Sequence, residues 1–560
     1  MTPAPDFTAI SRAVTLSVAG ARHLVLMRAV ADDRYGVAAK ANAALQTGAG
    51  DDGFACLTRL DSLSNAFPES HYRQLAGLGA VTLAFDLDAP DWELRLWRGD
   101  ATGGMTRLAS QRGQGRQAGH LTVDLTAAEA SRLFVDLRHG PGLRLHDLAW
   151  TTPAPETLPV LGLSITTYNK PGFVTETLDT IAASGPAAAG LLDLLLVNNG
   201  AAIPGLPPAL TVQTLPNHGG TGGFLAAVAH FRARGRARFV IMDDDIRLHP
   251  DLMQRLYALS CLVSALHVGV MAEILNIPER RIKEQGANLD PVRFLHLDPV
   301  NARRLIDADN RTGFYAPHPV DYSGWWAELI DLTCPAPLPP AWLFIKRDDI
   351  FYGVASARAG TPTQVFPNLM VAHSEEGAPL YHYFDLRNEL VLRMLQPGLD
   401  FAPRDLRHMA LLFLLTLRAD PLALTNAALA DILRGPTFLQ AMDHGARLKQ
   451  LRAIARPPVP IPPGTPRRTA RFRQGKLRNL LAFVLPRPGG GEIPVLPQAL
   501  PSTVGPLRAY YEPVEGEAKG YLRQRSLASV GLYLRALWLI ARLARARRRL
   551  TQDYRRAFRP

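Results

Sequence analysis

The sequence predicts an α/β fold, with an N-terminal β-sandwich before the central domain and a helical region after it. Three short apolar runs of the kind that is buried in a parallel sheet, at residues 161–167, 191–197 and 239–242, each lead into polar or glycine-rich residues. Before them the apolar residues alternate with period two, and beyond residue 380 the periodicity is helical. The length of 560 residues, 47% of them apolar, is typical of several globular domains and excludes wholesale disorder.

Each region has its own signal. Alternating segments at 81–87, 92–97 and 120–125 predict antiparallel strands in residues 1–150. A proline-rich linker at 151–159 precedes the α/β domain at 160–380. Helical stretches at 408–417 and 422–433 predict a helical domain at 381–455, and many prolines predict an extended, mobile basic segment at 456–510. The last stretch, 526–560, predicts a basic amphipathic helix.

The net charge of +12 is concentrated near the C-terminus. Residues 467–487 hold seven arginines and lysines and no acid, and residues 535–560 hold nine arginines and one aspartate. These segments lack the interleaved aromatic residues that stack on bases, so we expect no nucleic-acid partner. Three scattered cysteines, no secretory pattern and no apolar run of about 18 residues predict a cytoplasmic protein.

Three consecutive carboxylates, Asp243, Asp244 and Asp245, follow the third apolar run. Such crowding is unfavourable unless a cation neutralises it, and oxygen-rich sites suit Mg²⁺ or Mn²⁺, which commonly also hold substrate phosphates. An Asp-x-Asp at the end of a strand, here Asp243 and Asp245, is what a metal-dependent nucleotide-sugar transferase needs. The alternative is a solvated turn at the end of the strand.

Two further loops are candidates for binding a nucleotide. Asn217, Gly219 and Gly220 begin a glycine-rich loop before an alanine-rich helical run, where the backbone can approach a diphosphate closely. The spacing matches neither the P-loop nor the dinucleotide fingerprint, which disfavours an ATPase or a dehydrogenase, and a plain turn is the alternative. Thr167 and Asn169 follow the first strand, in a loop that is also compatible with a plain helix start before Pro171.

Three later clusters complete the set of candidates. Trp325 and Trp326 could form a wall on which a sugar stacks, although adjacent tryptophans are normally core residues. Asp348 and Asp349 form a second acidic pair after an apolar stretch, which is either a candidate general base or a helix cap. His373 ends another apolar strand and is either a metal ligand or a core histidine.

In their order and approximate spacing these clusters resemble the galactofuranosyltransferases of mycobacterial galactan synthesis and their relatives among the inverting GT-A glycosyltransferases. The resemblance covers roughly residues 55–395. It includes residues 64–72, which look like that family's Asn-Ala-Phe-Pro segment, and residues 383–390, which look like the start of its C-terminal helices. It implies a GT-A (Rossmann-like) catalytic domain.

The resemblance also implies roles for the candidate residues. Asp243 and Asp245 would bind the metal and UDP, with Asp245 and His373 as direct ligands and Asp244 beside them. On the donor side, Thr167 and Asn169 match the uridine loop, and Asn217, Gly219 and Gly220 match the loop near the nucleotide sugar. Trp325 and Trp326 match a pair that lines the sugar and acceptor site, and Asp349 matches the general base, with Asp348 beside it.

The implied reaction is the transfer of galactofuranose from UDP-galactofuranose, with inversion, to a saccharide or lipid-linked saccharide. Arg347 stands where the family has a tryptophan, and the loop after His373 is shorter, so the acceptor stays open. Two alternatives remain: transfer of another sugar by the same machinery, and a catalytically silent glycan-binding protein.

The sequence of the C-terminal region predicts two further partners, a membrane surface and a second copy of the chain. The stretch from residue 527 alternates apolar and arginine positions near helical spacing, which favours binding to the anionic inner face of the cell membrane. The alternative is a helix packed on its own domain with a solvated basic face. The family precedent suggests a homo-oligomer through this region.

Overall fold

The computed structural model describes residues 12–30, 46–48, 54, 56–126, 128–249, 251–274, 282, 285–301, 311–373, 380–399, 401–415, 419–467, 493, 495–496, 509–513, 519–524 and 528–558. Most of the predicted extended segment at 456–510, including nearly all of the basic stretch at 467–487, lies outside these residues, as does the loop at 374–379. Within the described part of the chain, no helix is both long enough and apolar enough to span a membrane.

The described residues of the N-terminal region form an eight-stranded antiparallel sheet and the helix α1 (Glu69–Leu75). The strands run in the order β1-β2-β8-β5-β7-β4-β3, and β6 pairs with β5. Their bounds are β1 Thr15–Val18, β2 Ala21–Arg28, β3 Gln46–Gly48, β4 Cys56–Leu60, β5 Ala80–Gly99, β6 Met105–Asp124, β7 Arg132–His139 and β8 Arg144–Pro153.

The long strand β5 joins the two halves of this sheet. Its first half pairs with β8 and its second half with β7, and the register shifts between Ala89 and Trp92, around Pro90, which has no N–H to donate. The antiparallel strands agree with the period-two pattern. The hydrogen bonding makes one continuous sheet, however, so the two separate sheets of a sandwich are not confirmed.

A second sheet of nine strands forms the central region. It contains β9 (Leu161–Thr167), β10 (Leu192–Asn198), β11 (Thr211–Thr214), β12 (Arg238–Asp243), β13 (Ile246–Leu248), β14 (His267–Ile274), β17 (Pro319–Val320), β18 (Ala327–Asp331) and β19 (Thr363–His373), whereas β15 (Ala287–Leu289) and β16 (Leu297–Pro299) form a separate hairpin. The helices are α2 (Pro171–Ala182), α3 (Gly185–Ala188), α4 (Gly219–Ala233), α5 (Leu252–Leu262) and α6 (Asp348–Arg358).

The three strands predicted from the apolar runs are β9, β10 and β12, and they lie side by side and parallel, in the order β11-β10-β9-β12-β18-β14-β19-β13. The sheet is mixed rather than wholly parallel, because β18 lies antiparallel to both β12 and β14. The carboxyl ends of β9, β10, β12 and β19 meet at the same edge, which is where parallel strands place their ligands.

A buried arginine and a largely buried aspartate connect the two sheets. Asp251, before α5, accepts hydrogen bonds from the backbone N–H of Arg28 (2.7 Å) and from Nε of Arg255 (3.0 Å). Arg255 is fully buried and donates to the carbonyl oxygens of Arg28 and Asn368. The N-terminal sheet is therefore tied to the floor of the central domain.

The C-terminal region is largely helical. Its elements are α7 (Tyr381–Leu395), α8 (Pro403–Leu415), α9 (Ala419–Leu433), α10 (Pro436–Gln440), α11 (His444–Ala455) and α12 (Ala528–Ala557), with a three-stranded antiparallel sheet of β20 (Val459–Pro460), β21 (Ala509–Pro513) and β22 (Lys519–Gln524).

The amphipathic helix α12 packs on α7, α8 and α9. Its apolar face is buried in the core of the helical region, namely Ala536, Leu539, Ile540, Leu543, Leu550 and Tyr554. This corrects the expectation that the same face lies in a membrane, because these side chains are already removed from water. The alternative of a helix packed on its own domain is what the structure shows, and only Leu534 and Trp538 of its large apolar side chains are exposed.

Candidate active site

Three strand ends bring two carboxylates and an imidazole together. Asp243 is the last residue of β12, and Asp245 lies two residues later, just before β13. His373 is the last residue of β19 and is paired with Ile246 of β13. One ligand atom from each of the three lies within 4.8 Å of the others, and Nε2 of His373 is 3.6 Å from Oδ1 of Asp245. This is the geometry expected of a metal site.

The electrostatics of this cluster favour a cation. Burial and the neighbouring charges of Asp245 and Asp244 hold the pKa of Asp243 well above its ordinary value, because ionised carboxylates repel each other. The ammonium of Lys170 lies 2.6 Å from Oδ2 of Asp245 and supplies one compensating charge. Oxygen and imidazole donors in this arrangement fit a divalent ion such as Mn²⁺ or Mg²⁺.

Asp244 has a different task from its neighbours. Its Oδ2 accepts hydrogen bonds from Oγ1 of Thr167 (2.9 Å) and from the backbone N–H of Tyr168 (3.0 Å). Asn169 adopts φ 59° and accepts a bond from the N–H of Ala201 (2.9 Å). Asp244 and Asn169 thus shape the loop after β9, the predicted uridine loop.

The glycine-rich loop is held from three sides. Oδ1 of Asn217 accepts a bond from the N–H of Gly219 (3.0 Å), and Nδ2 of Asn199 donates to the Gly219 carbonyl (3.2 Å). Gly219 has φ +66°, and a Cβ there would lie 2.1 Å from the carbonyl oxygen of Phe344. Glycine is therefore required at 219, whereas a Cβ at Gly220 would meet only Oδ2 of Asp348, at 3.6 Å.

The tryptophan pair is mainly buried. Trp325 stacks on Phe224 with ring centroids 4.2 Å apart, and Nε1 of Trp326 donates to the carbonyl of Val270. The ring of Trp326 also lies 6.2 Å from that of His373. Both residues are core residues, as the alternative interpretation held, and both also contribute to the wall of the cavity.

The second acidic pair begins α6, where unpaired backbone N–H groups favour negative charge. Asp348 is buried and accepts a bond from Oγ1 of Thr221 (2.8 Å). Burial and the charge of Asp349 raise the pKa of Asp348 to about 7. Asp349 is half-buried and faces the same cavity.

The turn before this pair is strained. Phe344, Lys346 and Arg347 have φ 70°, 66° and 63°, although none is glycine. Each such residue costs roughly 1–3 kcal/mol and persists only where the surroundings hold it. Arg347 is buried and pairs with Glu389 (2.6 Å), and its Nε lies 3.5 Å from Asp385.

Most of these groups line one cavity of about 600 Å³. Among the predicted site residues, Asn169 is not on its wall; the others line it, namely Thr167, Asn217, Gly219, Gly220, Asp243, Asp244, Asp245, Trp325, Trp326, Asp348, Asp349 and His373. The cavity is also lined by residues that were not among the predicted site residues, namely Lys170, Asn199, Lys346, Tyr381, Asp385 and Arg452. Lys170 stands within the loop already identified, whereas nothing in the sequence pattern pointed to Arg452 on α11.

Comparison with known proteins agrees with the resemblance. No family model matches the chain. Galactofuranosyltransferase GlfT2 of Mycolicibacterium smegmatis is 26% identical over 442 residues, which are 72% of this chain and 68% of that protein. The GlfT2 of Mycobacterium tuberculosis is 26% identical over 431 residues, 70% of this chain and 67% of that protein. The predicted resemblance is confirmed, and with it the predicted enzyme class, a glycosyltransferase.

Similarity to solved structures is weaker. GalNAc-T7 with UDP, GalNAc and Mn²⁺ has a TM-score of 0.31 at 10% identity, covering 42% of this chain and 46% of that one. The mannosyltransferase PcManGT from Pyrobaculum calidifontis, in complex with GDP-Man and Mn²⁺, has a TM-score of 0.28 at 15% identity, covering 54% and 84%. The GT-A fold of the central domain stays a prediction.

Proposed function

We propose that this glycosyltransferase moves galactofuranose from UDP-galactofuranose to a hydroxyl group of a saccharide or lipid-linked saccharide, with inversion at the anomeric carbon. One observation carries the proposal: the Asp243, Asp245 and His373 cluster and the acidic pair Asp348 and Asp349 line one cavity. A single displacement needs a group that stabilises the leaving group and a base that takes the proton of the attacking hydroxyl. A metal-type site and a separate carboxylate pair can supply these two functions. Similarity to two galactofuranosyltransferases supports the choice of sugar.

On the donor side the chain would hold the diphosphate by charge and by backbone donors. Asp243, Asp245 and His373 would bind Mn²⁺ or Mg²⁺, which when bound neutralises negative charge on the UDP leaving group. Gly219 allows this loop to pack closely on the Phe344 carbonyl, and the backbone N–H of Gly220, in the first turn of α4, would be a donor to a phosphate. Lys170, 2.6 Å from Asp245, keeps a positive charge at the same edge of the sheet.

On the acceptor side Asp349 would be the general base. It would take the proton of the attacking hydroxyl while the new carbon–oxygen bond forms and the bond from the anomeric carbon to the phosphate oxygen breaks. The electron pair of that bond leaves with UDP. Asp348, whose pKa is raised to about 7, would be partly protonated near neutral pH, which lowers the negative charge beside Asp349. The product would be a β-galactofuranoside.

The donor test measures UDP release with a synthetic alkyl galactofuranoside as the acceptor probe. UDP-galactofuranose should be turned over faster than UDP-galactopyranose or UDP-glucose. Equal or faster turnover of a pyranose donor would contradict galactofuranose as the transferred sugar. An absence of UDP release with every donor would favour a catalytically silent glycan-binding protein.

The residue test separates binding from chemistry. Asp349→Asn should keep UDP binding and lower turnover by about 10²–10⁴, the usual contribution of a positioned base. Near-normal turnover in this variant would reject Asp349 as the base.

The metal test uses UDP binding with and without EDTA. Asp245→Ala should remove the EDTA-sensitive part of binding. The described residues contain one further group of potential ligands, Asp290, His296 and Asp298, and none of these three lines the cavity. Asp298→Ala is therefore the matched control and should bind UDP as the wild type does; loss of binding in both variants would count against the site at Asp245.

A further inference from the structure

Three consecutive polar side chains of α7 are completely buried against the strained turn at 342–347. Arg387, Asn388 and Glu389 each have 0% exposure. Burying a polar side chain costs free energy unless it is hydrogen-bonded, so three buried polar residues in succession need well-placed hydrogen-bond partners. Each of the three has a partner in the segment that leads into Asp348 and Asp349.

Asn388 is the centre of this arrangement. Its Nδ2 lies 3.1 Å from the carbonyl oxygen of Leu343, 2.8 Å from that of Ile345 and 2.7 Å from that of Lys346. One amide nitrogen thus lies within hydrogen-bond distance of three main-chain carbonyls of a single turn. An apolar side chain of the same volume would remove this donor from the carbonyls of Ile345 and Lys346, whereas Leu343 would keep its bond from Arg387.

Arg387 orients Asn388. Its Nε donates to Oδ1 of Asn388 (2.9 Å), which turns the amide nitrogen toward the carbonyls. Nη2 donates to the carbonyl oxygens of Trp342 (3.0 Å) and Leu343 (2.6 Å). The guanidinium lies 5.4 Å from the ring of Tyr383 and 5.1 Å from that of Phe384, so it has little freedom to move.

The held turn connects both sides of the cavity. Residues with positive φ surround Ile345 and directly precede Asp348. The carbonyl of Phe344 also accepts the N–H of Thr221 from the glycine-rich loop (3.1 Å). A relaxed turn would therefore move the start of α6 and its carboxylates.

We infer that Asn388, oriented by Arg387, is a positioning residue that keeps the turn at 342–347 in the conformation in which Asp349 faces the acceptor hydroxyl. The inference rests on the proposed function, because it takes Asp349 as the general base. Asn388 does not line the cavity, so it acts on the reaction through the turn alone.

Asn388→Leu tests this inference against a matched control. Asn426, on α9, is also buried and donates to one main-chain carbonyl, that of Leu532 (2.9 Å), away from the cavity. Asn388→Leu should lower kcat by about 10²-fold, the cost of misplacing a catalytic group by about 1 Å. Asn426→Leu should leave kcat unchanged. An equal fall of kcat in both variants would assign Asn388 to general stability and overturn the inference.

A double-mutant cycle with Asp349→Asn supplies a readout that a merely structural role would not move. If Asn388 acts through Asp349, the double variant should be as slow as Asp349→Asn alone. A loss equal to the product of the two single losses would overturn the inference while leaving Asp349 as the base. Near-normal turnover in Asp349→Asn by itself would instead overturn the proposed function.

Asn388→Ser is the second variant if the leucine variant does not fold. It keeps one donor for the three carbonyls and should show a smaller loss of kcat that is likewise absent in the Asp349→Asn background. Wild-type kcat in a folded Asn388→Ser and equal losses in both backgrounds would each contradict the positioning role.

Discussion

Glu328 makes the stability of this protein depend on pH in a direction opposite to that of most carboxylates. It lies on β18, between β12 and β14, with 3% exposure, and accepts a hydrogen bond from Oγ1 of Thr363 (3.1 Å). Burial, together with the charge of Asp349, raises its pKa from 4.5 to about 8. The folded protein thus keeps a proton that the unfolded chain has lost.

The sign and size of the effect follow. Because the folded pKa is raised, this contribution to stability is complete below pH 4.5 and is lost as the pH rises through about 8. Each pH unit in between is worth about 1.4 kcal/mol, so the wild type loses about 3 kcal/mol from this group between pH 5 and pH 7. Glu328→Gln keeps the shape and can still accept from Thr363, but it cannot ionise.

The assay is urea unfolding, followed by tryptophan fluorescence, at pH 5, 6 and 7. The stability of Glu328→Gln relative to wild type should rise by about 1.4 kcal/mol per pH unit, since other titrating groups cancel in the comparison. The exposed Glu156→Gln is the control and should follow the wild type. Parallel pH curves for Glu328→Gln and wild type would show that Glu328 is ionised in the folded protein and would refute the reasoning.

Three further predictions concern packing. Asp251→Ala leaves the buried Arg255 without its carboxylate and should lower the free energy of unfolding by about 3–5 kcal/mol, measured with urea; a loss below about 1 kcal/mol would contradict the role of this ion pair. Ile540→Ala should lower the free energy of unfolding by about 2–5 kcal/mol, whereas Trp538→Ala, at an exposed position, should change it by less than about 0.5 kcal/mol. Equally small effects of both substitutions would mean that α12 does not pack as described. Gly219→Ala, at φ +66°, should weaken UDP binding at least about tenfold in calorimetry, and wild-type affinity would contradict the close contact of this loop with the turn.

Much of the donor side was predictable from local sequence. The strands expected at 161–167, 191–197 and 239–242 are Leu161–Thr167, Leu192–Asn198 and Arg238–Asp243, because a short apolar run carries its own burial signal. The parallel arrangement of these strands places Thr167 and Asp243 at one edge. Once the strands are known, the location of the acidic cluster follows from geometry.

Other features depended on contacts between distant segments. His373 reaches Asp245 because β19 pairs with both β14 and β13, and no local pattern specifies that pairing. The antiparallel β18 and the continuous N-terminal sheet likewise depend on which strands meet. The strain at Phe344, Lys346 and Arg347 is invisible in the sequence, since these residue types do not favour positive φ.

The sequence by itself determined the residue chemistry of the site and the periodicity of each element, because both are local properties of the chain. The tertiary structure alone decided what covers each apolar face and what satisfies each buried polar group. Helix α12 shows the first case: its amphipathic pattern suits a membrane or a protein core equally, and packing on α7, α8 and α9 selected the core. Asn388 shows the second, since its three carbonyl partners lie more than forty residues away along the chain.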